Sequence, residues 1–430
     1  MTLASPVRSR TAWLSISILV LTAVGAIYLL VALWVNEGTI FKASYRDYFT
    51  SLMEGFAHGH LWVTGTPALD DLAEFRDHVY LYWGPTPLLV IAPLYFFGHG
   101  FQYDVAYTLV LGLASVAAMA WMIPEAAQAL RIPLRKSTWA LMTLLFAFAS
   151  PNFYLSVQGR VWHTSQVGAT LYCLLSLAFT FRFINRLRLF DLVLGAILFS
   201  LAWDARMPFL VTWPILLYAV VYAWQQDRAL GVKALTCSAL VGLCAVTGWA
   251  LYNYARFGQL TETGYSYTHH APRWVDGVRH GELWSWKYLR HNWHFNVRNW
   301  PFDIPSRRLI FDQEGNSILW MYPWTVLTWG LPFLLPRIDP KARPLLFVTM
   351  GVALVQFAAE LTFFSSGYTQ VGSRYFLDSV PVLFVMLLPV FEKAPRLLLL
   401  VGVSIGLVLN VAGMSDFYNV PLMKLSSWLS

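Results

Sequence analysis

The chain of 430 residues is 57% apolar and only 12% charged, against about 25% charged residues in an ordinary soluble domain. So few charges cannot cover a soluble globule of this size, and the composition also excludes disorder, a collagen-like rod and a coiled coil. The net charge of +7 is spread between apolar blocks and forms no basic stripe, which argues against a nucleic acid partner. The expected fold is all-α: a polytopic membrane helix bundle of about 11–12 spans, forming one integral-membrane domain over 1–430.

The first apolar run, Trp13 to Val35, is too long for a signal-peptide core and has the length of an uncleaved spanning helix. A polar segment, 36–85, follows. Its apolar residues at 45, 48, 49, 52, 53 and 56 recur at helical spacing, so an interfacial amphipathic helix is expected over 45–58, with Asp47 in its first turn. The segment closes on Asp77-His78-Val79-Tyr80-Leu81-Tyr82-Trp83-Gly84-Pro85-Thr86-Pro87. Gly84-Pro85 enforces a turn, and the rings beside it read either as a membrane-boundary belt or as substrate contacts. The run 86–97 carries Pro87 and Pro93, and a dozen helical residues cover only about 18 Å. It either re-enters the membrane or crosses it.

Further apolar runs lie near 105–123, 137–155, 163–183, 190–203, 207–224, 232–252, 318–335, 344–363, 377–391 and 396–414. If 86–97 re-enters, every second connection is basic, from Arg8 and Arg10 through Arg131, Arg135 and Lys136 to Lys393 and Arg396. The positive-inside rule then makes these connections and the N-terminus cytoplasmic, in a plasma (inner) membrane, with anionic-lipid contacts on that side. Two long segments, 36–85 and 253–317, face the other way and hold most carboxylates and histidines. Cys173, Cys237 and Cys244 all lie in apolar runs and read as small core residues.

The 253–317 segment follows Tyr252-Asn253-Tyr254-Ala255-Arg256-Phe257-Gly258 and includes Gly264-Tyr265-Ser266-Tyr267, Trp284, Trp286 and Trp300. Flat rings with polar edges suit sugars and lipid headgroups alike. Arg256 either pairs with a phosphate or snorkels to the headgroups. His269, His270, His291 and His294 lack the i, i+4 spacing of a zincin helix, so no metal site is assigned to them. Asp204 with Arg206, and Arg374 with Asp378, look like local ion pairs, the second at helical i, i+4 spacing. Glu360 has no local partner and is the more notable lone charge.

Tyr80-Leu81-Tyr82-Trp83-Gly84-Pro85-Thr86-Pro87, Ala202-Trp203-Asp204-Ala205-Arg206-Met207-Pro208 and Ser373-Arg374-Tyr375-Phe376-Leu377-Asp378 stand behind an N-terminal span and an acid-bearing outer segment. The arrangement resembles the GT-C superfamily of multi-spanning glycosyltransferases, and is most similar to protein mannosyltransferases and bacterial aminoarabinose transferases. The resemblance implies transfer of a sugar from a polyprenyl-phosphate donor to a lipid, glycan or protein acceptor on the extracytoplasmic face. It implies an acid of the first outer segment as base or metal-assisted activator, with a divalent cation as an open option. Asp47 matches that position, and Asp70, Asp71 and Asp77 are candidates for the second acid the family commonly carries. A lipid phosphate needs cationic partners as it leaves, and Arg256, Arg374 and Arg206 are the candidates. Tyr80, Tyr82, Trp83 and Tyr265 are the expected substrate-binding rings. The alternative is a non-catalytic binder or transporter of a lipid-linked glycan. No cytoplasmic connection is long enough for a nucleotide-binding domain, which argues against a sugar-nucleotide donor.

Overall fold

A computed structural model describes residues 6–65, 69–97, 103–268, 278, 281–305 and 308–421, with side chains from 15 onward. His269 and His270 therefore lie outside the described residues. The helices that carry the architecture of the described residues are α1 (Pro6–Val35), α2 (Tyr48–Ala57), α3 (Leu88–Phe97), α4 (Asp104–Ala129), α5 (Lys136–Phe148), α6 (Asn152–Ser156), α7 (Val161–Arg186), α8 (Leu189–Ala205), α9 (Trp213–Gln226), α10 (Arg228–Phe257), α11 (Arg343–Thr362), α12 (Phe376–Lys393) and α13 (Arg396–Phe417). Among the described residues, seven helical stretches are long and apolar enough to cross a membrane. The chain is a multi-pass helical membrane protein.

Burial shows which faces meet lipid. Leu240, Leu243, Val246 and Leu251 on α10, and Leu397 and Val408 on α13, are more than half exposed. Such stripes suit acyl chains and would be out of place in water. Cys244 lies on this outward face of α10, and only Cys173 is buried. The expectation of three core cysteines fails because α10 packs on α8 and α9 from one side only.

At the centre α7 lies between α4 and α8, and nearly every one of its residues is buried. Rings of Tyr28, Phe146, Phe153 and Phe181 fill the space around it. Tyr28 satisfies its hydroxyl by donating to the Ala147 carbonyl oxygen at 2.7 Å, as a buried phenol requires.

Ion pairs gather the basic connections at one end of the bundle. Arg131 pairs with Asp339, Arg186 with Glu125, and both Arg135 and Arg396 with Glu392. The opposite end decides the path of 86–97. Asn36 Nδ2 donates to the Val157 carbonyl oxygen at 2.8 Å, and the Ser44 amide donates to Asp104 Oδ1 at 2.7 Å. The end of α1 and the start of α4 thus share one end of the bundle. Between them α3, at ten residues, is about 15 Å long, half of what a crossing needs.

The run 318–335 is not a single helix. It folds as short turns, Ile318–Met321, Pro323–Gly330 and Leu331–Leu334, because Pro323, Pro332 and Pro336 remove amide donors and break the helical ladder.

Candidate active site

The end remote from the basic connections is built around two loop systems. In the first, β1 (Ala73–Phe75) and β2 (His78–Tyr80) form a hairpin in which Phe75 opposes His78. Its two-residue loop, Arg76-Asp77, has φ of 50° and 62°, the left-handed pair of a type I′ turn. In the second, the described residues 259–268 and 281–285 reach back to neighbouring segments. Ala73 bridges to Thr268 and Trp284 bridges to Phe363.

Between these loops and the helix ends lies a cavity of about 490 Å³. Its wall takes Arg46, Asp70, Asp71, Tyr82 and Trp83 from the first segment, and Tyr265 and Trp284 from the second. Asp204 and Arg206 come from the end of α8, Tyr252 and Arg256 from α10, Glu360 from α11, and Arg374, Tyr375 and Asp378 from the start of α12. Trp162 of α7 closes one side.

Gly84 is required where the first loop meets α8. A Cβ there would sit 1.9 Å from the Asp204 carbonyl oxygen. Two bonds lock the same junction: Thr86 Oγ1 donates to the Leu201 carbonyl oxygen, and Tyr172 Oη donates to the Thr86 carbonyl oxygen, both at 2.9 Å.

The cationic side chains differ in how far they are already engaged. Arg46 pairs with Asp70. Arg206 grips Asp378, and the Asp378 carboxylate also accepts from Gln166 Nε2 at 3.0 Å. Arg256 donates to the Leu81 carbonyl oxygen at 2.6 Å and to Asn253 Oδ1 at 2.7 Å, over the Tyr252 ring. Arg374 donates through Nε to the Gly367 carbonyl oxygen at 2.6 Å, while its buried Nη1 has no hydrogen-bond partner.

The local pairs suggested by spacing do not form. Arg206 is in extended conformation (φ −150°, ψ 113°) after the last turn of α8, so it leaves the direction of Asp204. Arg374 precedes the start of α12 at Phe376, so helical i, i+4 geometry does not apply to it and Asp378. Glu360 has a partner, the Ser379 hydroxyl of the neighbouring helix, which no local reading can find.

Among the carboxylates on the wall, Asp71 has a distinctive setting. It sits at φ 63°, a left-handed conformation that Asp tolerates better than most residues. Tyr82 Oη donates to its Oδ1 at 3.3 Å. Burial holds the Tyr82 phenol well above its ordinary pKa, and the Asp71 charge adds to this, so the hydroxyl stays a donor.

Asp71, Tyr82, Trp83, Arg206, Arg256, Tyr265 and Arg374 thus line one cavity. Asp47, Asp77 and Tyr80 are not on its wall. Asp47 is the N-cap of α2: its Oδ1 accepts from the Thr50 amide at 3.2 Å and from Tyr107 Oη at 2.6 Å, and its Oδ2 from the Asp104 amide at 3.3 Å. Burial raises its pKa, and the bonds from Tyr107 and Thr50 offset part of the rise. Asp77 is exposed at the hairpin tip. Tyr80 packs on Phe257, ring centroids 5.2 Å apart.

Trp162 and Gln166 had no distinguishing signal, since they sit in an apolar run, and Tyr375 lay inside the Ser373–Asp378 stretch without being singled out there. The crowding of Gly159-Arg160-Val161-Trp162-His163 at the start of an apolar helix was the nearest cue to the first of them. His291 faces Glu314 at 3.5 Å.

No protein-family model matches the sequence, and no curated protein matches it. Among solved structures the chain is similar to the apo oligosaccharyltransferase of Archaeoglobus fulgidus, at 12% identity and a TM-score of 0.49, over 92% of this chain and 56% of that one. The chain spans a little over half the length of the archaeal protein.

Proposed function

We propose that this chain is a membrane glycosyltransferase of the GT-C kind, moving a sugar from a polyprenyl-phosphate donor to a lipid, glycan or protein acceptor. The observation that carries the reading is the composition of one cavity wall. It combines a carboxylate held by a phenol (Asp71, Tyr82), a buried arginine with an unused donor (Arg374) and a set of stacking rings (Trp83, Tyr265, Trp284), bordered by the lipid-exposed helix α10.

The chemistry follows from those groups. Asp71 accepts the proton of the acceptor hydroxyl as its oxygen attacks the anomeric carbon. The bond from that carbon to the phosphate oxygen breaks, and the electron pair leaves on the lipid phosphate. Arg374 stabilises the charge that develops there. One displacement inverts the anomeric centre. Arg256 and Arg206, both committed to protein partners, hold the wall in shape. Asp47 caps α2 and so positions Arg46 and Asp70. The Arg374 guanidinium supplies the positive charge in this scheme. By the positive-inside rule the basic end faces the cytoplasm and the cavity faces outward.

The test is transfer from a labelled polyprenyl-phosphate sugar by the full chain in nanodiscs. Asp71→Asn is expected to lower turnover by about 100-fold or more while donor binding stays close to wild type. Wild-type turnover in that variant would overturn the assignment.

A further inference from the structure

Three guanidinium groups surround a single indole. The Cζ atoms of Arg46, Arg374 and Arg160 lie 5.2, 5.5 and 5.8 Å from the Trp162 ring centroid. Only Arg46 has a carboxylate partner among the described residues, Asp70. Arg160 and Arg374 form no ion pair there, and each has a buried Nη1 with no hydrogen-bond partner.

The same region collects further unused polar atoms. Tyr154 Oη, Tyr322 Oη, Tyr418 Oη, His163 Nε2 and Trp162 Nε1 are all buried without partners. They are neighbours. Tyr154 lies within electrostatic reach of Tyr322, Tyr418, Arg160 and Arg374, its ring centroid is 5.9 Å from that of His163, and Arg160 lies over Tyr418. Tyr154, His163 and Tyr322 are fully buried, and Arg374 is 9% exposed.

A buried polar atom without a partner is costly, and a buried guanidinium without a counter-charge more so. Native proteins rarely leave such groups unmatched. Here nearly all the unmatched atoms can donate, and two bear full positive charge. Asp104, the acid within electrostatic reach of Arg160, is already bound by Ser44 through both the amide and the hydroxyl.

We infer that the cluster around Trp162 is an anion site, in which Arg160 and Arg374 with the Tyr154 and Tyr322 hydroxyls bind a phosphate-class group. Arg374 and Trp162 are on the cavity wall and Arg160 is not, and both guanidiniums lie against the Trp162 ring, so the site adjoins the cavity at Trp162. A terminal phosphate of a lipid head or a free inorganic phosphate offers the same oxygens, and a diphosphate offers more of them. The inference needs no sugar transfer, and its test reads binding alone.

The full-length protein in phosphatidylcholine nanodiscs is titrated calorimetrically with inorganic phosphate and with pyrophosphate. A parallel arm measures capture of labelled polyprenyl phosphate added to the same nanodiscs. Saturable binding in the first arm assigns the site to free anions, and binding in the second alone assigns it to lipid headgroups. In either case Arg160→Gln is expected to weaken binding at least tenfold, while Arg135→Gln at the far end leaves it unchanged. Arg160→Lys, which keeps the charge and loses the planar fork, is expected to fall between them and serves if R160Q does not fold. No saturable binding in either arm, meaning that the cluster holds only water, would overturn the inference. So would wild-type affinity in R160Q or, where that variant does not fold, in R160K. Loss of transfer in Asp71→Asn with anion binding intact leaves this site standing, and anion binding without any transfer activity counts against the proposed enzyme alone.

Discussion

Arg206 and Asp378 form a bidentate ion pair at the heart of the cavity end, with N–O distances of 2.6 to 3.1 Å. Their side chains are only 9% and 1% exposed. The pair fastens the end of α8 to the first turn of α12, and Gln166 of α7 adds a third helix to the knot.

Removing one partner leaves a buried charge. Arg206→Met or Asp378→Leu is expected to destabilise the protein by about 3–5 kcal/mol, and the double variant Arg206→Met/Asp378→Leu to recover much of the loss. Thermal unfolding in detergent measures both. Full additivity of the two single effects would refute the pairing.

Asp47 offers a separable prediction. Asp47→Ala removes the N-cap of α2 and is expected to cost about 1 kcal/mol, whereas Asp47→Asn retains a capping oxygen. If Asp47 positions and Asp71 accepts the proton, D47N keeps most of the transfer rate that D71N loses. The two variants are compared side by side for rate and for melting temperature.

The raised pKa of Asp47 also sets a sign. A carboxyl with a folded pKa above its unfolded value, about 3.9, binds its proton more tightly in the folded state. Its contribution to stability is therefore greatest below that value and declines as pH rises through the interval up to the folded pKa. D47N is expected to flatten the dependence in that window. An unchanged pH–stability profile in D47N would contradict this.

Gly84→Ala forces the Asp204 backbone or the first loop to move, since no space exists for the added carbon. A loss of about 1–3 kcal/mol is expected, together with lower transfer activity. Gly248→Ala in α10, where nothing lies within 4 Å of the added carbon, is the control and is expected to be neutral or slightly stabilising.

Arg256→Lys keeps the charge but cannot bridge the Leu81 carbonyl and Asn253 at once. The expected stability loss is about 1.5–3 kcal/mol, and Tyr82, next to Leu81, is expected to shift. Tyr82 fluorescence is masked by 20 tryptophans, so the check is a crosslink between cysteines introduced at 82 and 265, whose rings stand 4.5 Å apart. Undiminished crosslinking in R256K would count against the tether.

Composition and spacing alone determined the membrane class, the helical runs, the basic connections and the polar segments, because hydropathy and helical period are local properties. The helix capped by Asp47 and the turn at Gly84-Pro85 were legible for the same reason. Tertiary structure alone decided who pairs with whom. Arg206 met Asp378 instead of Asp204, Glu360 met Ser379, and Asp47 turned to Tyr107 and away from the cavity wall. Ion pairs and hydrogen bonds form between surfaces that packing brings together, and in this bundle those surfaces belong to helices far apart along the chain.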